Sequence, residues 1–148
     1  MPHHTVDRAL EVALTLSNEA NVFSRGKWGL LGIWGDLIER WLEEMLPEEA
    51  AARCAGRVVL AAGAVPRVDR PWFEAELLTR FDSRRDLIEA NLASIHVPLF
   101  LDYKLTARFR GAHYVDGSLV GGEWLLAPTG APECIHLSHS ADPRMRAK

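Results

Sequence analysis

Asp116 is a residue that could do chemistry, in a stretch, "RGAHYVDGSLVGG", that runs from strand-like alternation into Asp-Gly and then a cluster of small residues. A carboxylate beside glycine at a strand end is well placed to take a proton from a reacting group. Asp-Gly is also among the commonest turn signals, so the pair alone reads as a hairpin turn. The sequel weakens that reading, because "SLVGG" is short, glycine-broken and a poor return strand.

Other reactive residue types are present without a standard pattern. Cys134, His136 and His139 put a thiol and an imidazole on one strand face with a second imidazole nearby, but match no zinc spacing and lack an evident fourth ligand. His96 and His113 stand alone and read as structural histidines. Gly26, Gly29, Gly32 and Gly35 recur every third residue, whereas a dinucleotide fingerprint needs G-x-G-x-x-G after a strand, and no P-loop lysine follows. No G-x-S-x-G occurs anywhere, and the chain shows no nucleophile of its own. No metal and no cofactor are expected.

The elements that must position these residues follow from periodicity. Val6, Ala9, Leu10, Ala13, Leu14 and Leu16 recur at helical spacing after a possible Thr5 cap and need a partner surface. Leu37, Ile38, Trp41, Leu42 and Met45 mark a second helix stopped by Pro47, with Pro47 itself expected in the first turn of a short third helix at "EEAAAR". "RVVLAAGAV", from Arg57 to Val65, reads as a central strand buried on both faces, and "FEAELLTRF" as a further strand. Ser83 and Asp86 resemble a capping box ahead of a fourth helix that ends before Pro98. "LTARFRGAHYV" predicts two strands about an Arg110-Gly111 turn, and "ECIHLSH" one more. Interleaved helices and strands predict an α/β fold, a mixed sheet with helices packed on it.

Taken together, "WLEEMLP", "CAGRVVLAAGAVP", "RFDSRRDLIEANLASIHVP" and "FRGAHYVDGSL" resemble the patatin-like phospholipase family over most of Val6 to Ser138. The resemblance implies a three-layer α/β sandwich and a lipid acyl hydrolase whose serine, on a G-x-S-x-G elbow, works with an aspartate in a D-G-G or D-G-A motif. Asp116-Gly117 corresponds to that motif, with Ser118 in place of its third residue. Asp116 is then the catalytic counterpart, accepting the serine proton as general base, and "ASIHVP" resembles the segment before the family's Asp strand. The family's oxyanion loop and elbow have no counterpart here. The resemblance therefore implies one partial domain over residues 1–148, the C-terminal part of a patatin-like domain, that holds the Asp half of the dyad and is inactive alone. The alternative is a non-catalytic remnant that binds lipid or protein. A sheet lacking its first strands would leave an unpaired edge beside Arg57 to Val65, open to an oligomer or partner chain.

Composition narrows the partners. A net charge of -3 and scattered arginines give no reason to expect nucleic acid. Two cysteines, Cys54 and Cys134, are too few for a disulfide framework and predict a reducing, intracellular setting. The apolar windows Trp28 to Trp34 and Val58 to Val65 are far shorter than the roughly 20 residues of a membrane span, and the N-terminus lacks a signal-like apolar run. Trp28 and Trp34 read as core residues or, since indoles favour the membrane interface, as contacts to a lipid surface. The expected location is cytoplasmic or peripheral on lipid.

Overall fold

The computed structural model describes residues 3–67 and 72–120. Within them four helices, α1 (His3–Glu19), α2 (Trp34–Met45), α3 (Ala50–Cys54) and α4 (Arg84–Ser94), accompany four strands, β1 (Leu60–Ala64), β2 (Glu74–Leu78), β3 (Ala107–Phe109) and β4 (Ala112–Asp116). The fold class is α/β. The final strand expected at "ECIHLSH" lies outside the described residues.

The sheet order is β2-β1-β4-β3, and each pairing is antiparallel. The expected mixed sheet is thus corrected among the described residues. Successive strands join without a crossover helix in two of the three pairings, and α4 returns the chain so that β4 runs against β1. The expected open edge beside Arg57 to Val65 is overturned as well. β1 pairs with β2 from Leu60↔Leu78 to Ala64↔Glu74 and with β4 from Ala62↔Asp116 to Ala64↔Tyr114, so it is interior. Among the described residues the outer strands are β2 and β3.

Core formation explains the register. Ala62 and Ala64 of β1, Leu78 of β2, Phe109 of β3 and Tyr114 of β4 form one cluster with Leu87, Ala90 and Ala93 of α4 and Ala50 and Ala51 of α3. Small residues on β1 let α4 approach the sheet closely, and Leu87 of α4 is 2% exposed. Burying such a side chain contributes about 1.5–3 kcal/mol. Phe109 and Tyr114 meet edge-on at 6.1 Å, and the Tyr114 hydroxyl donates to Glu76 Oε2 at 3.0 Å, so its polar end is satisfied.

The helix boundaries have local causes. Ser83 Oγ accepts the Asp86 amide at 3.1 Å, and the Asp86 carboxylate accepts the Asp82 amide at 3.0 Å, one residue before the reciprocal bond of a regular capping box. Leu46 turns extended ahead of Pro47 and ends α2, while Arg84 donates to the carbonyls of Leu46, at 2.8 Å, and of Glu43. Pro47 itself lies ahead of α3, its carbonyl accepting the Ala50 amide at 3.0 Å in a preceding turn, so it does not occupy the first helical turn. Thr5 is no cap, since α1 already includes His3. Between β3 and β4, Arg110 (φ 46°) and Gly111 (φ 79°) are both left-handed, as a two-residue primed turn requires. Arg110 grips Asp86 with two bonds, 3.0 and 2.5 Å, tying the hairpin to the start of α4.

The first helical pair packs less completely. Val12 and Leu16 of α1 and Leu42 of α2 are buried, and the Trp41 indole donates to the Ala9 carbonyl at 2.9 Å. Val6, Leu10 and Leu14 of the expected apolar stripe remain exposed. Two ion pairs, Arg8–Glu44 and Arg40–Glu19, cross one side of the pair. Among the described residues no helix is long and apolar enough to cross a membrane.

Candidate functional site

Asp116 is the last residue of β4, opposite Ala62 of β1. β3 reaches no further along β4 than the pairing Ala107↔Tyr114, so the Asp116 amide lies beyond that strand. An unpaired amide at a strand end needs another acceptor. The His96 carbonyl supplies it at 2.8 Å. Two residues earlier, at the end of α4, Ser94 Oγ donates to the Ala61 carbonyl at 2.6 Å. The stretch "SIH" that follows the body of α4 is therefore bonded to both strands that meet at Asp116.

The side chain is oriented from the other direction. Asp116 Oδ1 accepts the Ser118 amide at 2.7 Å and caps the single 3-10 turn Gly117–Leu119. Oδ2 makes no hydrogen bond and no ion pair among the described residues, and the side chain is half-buried. Gly117 is required here by proximity. A Cβ at that position would stand 2.4 Å from the Ala61 carbonyl oxygen, so only glycine lets the turn lie against β1. Among the described residues Asp116 thus caps a 3-10 turn and does not sit in a two-residue hairpin turn. It ends a strand with one oxygen fixed and the other available, and Ser118 contributes its amide to that arrangement.

The two described histidines do not join it. His96 is 2% exposed, with Nε2 at 3.2 Å from the Lys104 carbonyl, an arrangement that puts the proton on Nε2. His113 Nδ1 lies 2.8 Å from Thr106 Oγ1 on the exposed side of the β3–β4 hairpin. Among the described residues neither ring bonds to the Asp116 carboxylate, so no histidine-containing triad is assembled.

A cleft of about 560 Å³ opens between α2, α4 and the hairpin, and Asp116 does not line it. Its walls carry both signs of charge, and most are paired. Arg85 bonds Glu39 and Glu89, whose hydrogen bonds hold its guanidinium above its ordinary pKa. Burial pushes the Asp102 carboxyl up, but the Lys104 ammonium at 2.6 Å, with the Lys104 amide, outweighs it and holds the group below the usual carboxylate range. Such a surface attracts neither anions nor cations over distance.

The remaining candidates fall elsewhere. The glycine run uses its amides internally: Gly29 donates to Gly26, Gly32 to Phe100 and Gly35 to Leu101, at 3.0, 2.8 and 3.1 Å, so they do not face outward as a phosphate cradle would. Among the described residues no group of three His, Cys, Asp or Glu side chains could hold one metal ion. Cys134, His136 and His139 lie outside those residues. Ala61 and the His96 backbone were not legible as site residues, because a carbonyl acceptor carries no residue-type signal, and the Ser94 hydroxyl donates to Ala61 in a segment read only as preceding the Asp strand. Compared with protein-family models, with curated proteins and with solved structures, the chain matches none.

Proposed function

We propose that Asp116 is the general base of a patatin-like lipid acyl hydrolase, and that these residues form the aspartate side of its three-layer sandwich. The observation that carries the reading is the state of the carboxylate: Oδ1 is held by the Ser118 amide while Oδ2 has no partner among the described residues. A base needs a fixed direction and a free lone pair. In the reaction, a serine hydroxyl passes its proton to Oδ2 as its oxygen attacks the acyl carbonyl. The tetrahedral intermediate expels the alcohol, which takes that proton, and water then releases the acid by the same route in reverse. Charge on the carbonyl oxygen calls for backbone amide donors, each worth about 3 kcal/mol. The 148 residues hold no G-x-S-x-G, so serine and oxyanion donors come from another segment or chain.

A second reading, a non-catalytic module that binds lipid or protein, is favoured by that same missing elbow and by the exposed apolar side chains of α1. One experiment separates the two. The 148 residues alone should not hydrolyse a short-chain aryl ester, whereas the reading frame of the same locus, expressed whole, should contain a G-x-S-x-G segment and hydrolyse it. A whole frame without such a segment removes the hydrolase and leaves the binding module. Hydrolysis by the 148 residues alone that depends on Asp116 would mean an unrecognised nucleophile and would overturn the dyad.

A further inference from the structure

The 3-10 segment Phe23–Trp28, "FSRGKW", exposes two rings and two cations within six residues and contains no acid. Phe23 is 67% and Trp28 59% exposed, two large aromatic side chains presented on one short segment. Arg25 and Lys27 are exposed too, and among the described residues neither forms an ion pair. Arg25 donates to the Leu31 carbonyl at 3.4 Å, and the Lys27 ammonium stands 5.5 Å over the Trp28 ring. This contrasts with Arg8 and Arg40 across α1 and α2, whose charges are taken up by Glu44 and Glu19. Two residues beyond Trp28, Leu30 joins Leu16, Trp34 and Trp41 in lining an apolar groove of about 220 Å³.

We propose that this segment docks on an anionic lipid surface, with the Phe23 and Trp28 rings at headgroup depth and Arg25 and Lys27 against the headgroup anions. Rings with a cation beside them match the layered chemistry of a bilayer interface, apolar below and negatively charged above. The net charge of -3 makes the chain as a whole repelled by such a surface, so attraction has to be local, to a patch such as this one where cations without an ion pair among the described residues stand beside rings. The inference goes beyond the hydrolase reading and stands on the surface chemistry alone, independent of Asp116.

Flotation of the full chain with vesicles tests it. Vesicles of equal parts phosphatidylserine and phosphatidylcholine should carry the chain, and pure phosphatidylcholine vesicles should carry far less. Each cation near the surface is worth about 5-fold in partition, so Arg25→Glu with Lys27→Glu should weaken binding at least about 25-fold. Phe23→Ser with Trp28→Ser should weaken it on both vesicle types, and thermal melts should show both double variants folded, as their exposed positions require. Failure of the parent chain to float with the anionic vesicles, or unchanged flotation of the charge-reversed variant, overturns the proposal. So does self-association in sedimentation that the Ser variant abolishes without parent binding to vesicles, which would give the patch to a second copy. Asp116→Asn should float like the parent, so the lipid surface and the dyad fail separately.

Discussion

Leu87 of α4 is 2% exposed in a cluster with alanines and aromatic rings, while Leu10 of α1, the same residue type on an equally regular helix, is 61% exposed. The sheet with α3 and α4 forms a closed core, tied at its corners by Arg84 on the end of α2 and Arg110 on the start of α4. The α1–α2 pair buries a narrow seam and leaves apolar surface outside. Of α1 and α4, α1 has the clearer apolar stripe and yet is the one left half in water, so amphipathicity states that a face wants burial and says nothing of what supplies it. Asp116 belongs to the closed region, where its amide, one oxygen and the following glycine are each held against neighbouring backbone. The rings and unpaired cations of Phe23–Trp28 belong to the open one.

The contrast can be broken by substitution. Leu87→Ala should cost the most, about 3 kcal/mol in urea unfolding, because it opens a cavity in the closed cluster against the sheet. A loss below about 1 kcal/mol would mean that the sheet side is as loosely packed as α1. Gly117→Ala comes next, at about 2 kcal/mol, since its methyl would press on the Ala61 carbonyl and push the turn off β1. Crystallography or amide chemical shifts should show Asp116 displaced in that variant.

Asp86 offers a smaller, pH-dependent effect. Burial raises its pKa, but the bond from Arg110, the Asp82 amide and the guanidinium charge outweigh burial and set it below the ordinary value. A depressed carboxylate stabilises the fold above its unfolded pKa, about 4, and that contribution disappears as pH falls through the lower folded value. Asp86→Asn should therefore cost about 1 kcal/mol near neutrality, modest because Arg110 stays partly in water, and should flatten the acid limb of stability below about pH 4. An acid limb identical to the parent's would assign it to other carboxylates. Leu10→Ser should be the least costly, within about 0.5 kcal/mol, because its side chain is already in water.

Much of this architecture was legible. The apolar spacing of α2, the Ser83 cap, the Pro47 stop, the β1 run and the Arg110-Gly111 turn are local signals, and each predicts an element that is present. Strand pairing was not legible. The continuous apolar run of Arg57 to Val65 marks β1 as central, as it is, but not its partners: β2 follows after a short loop, while β4 meets β1 from far along the chain. The site divides the same way. Asp116-Gly117 stands out by residue type, but the glycine's need for contact with Ala61 and the capture of the Asp116 amide by His96 arise from tertiary placement. Reading the pair as a hairpin turn fails because β4 ends there, in a 3-10 turn capped by the aspartate itself.

The most direct measurement of the central claim is made on Asp116→Asn, in whatever longer protein or complex the proposal requires to supply the serine, with turnover and stability recorded on the same protein. Asparagine keeps a side-chain oxygen to accept the Ser118 amide but loses the basic lone pair. Turnover of an acyl ester should fall by at least about 100-fold, the lower range for loss of a general base, while unfolding free energy changes by less than about 1 kcal/mol. Near-full turnover with the fold intact would contradict the account and leave Asp116 as the cap of a turn.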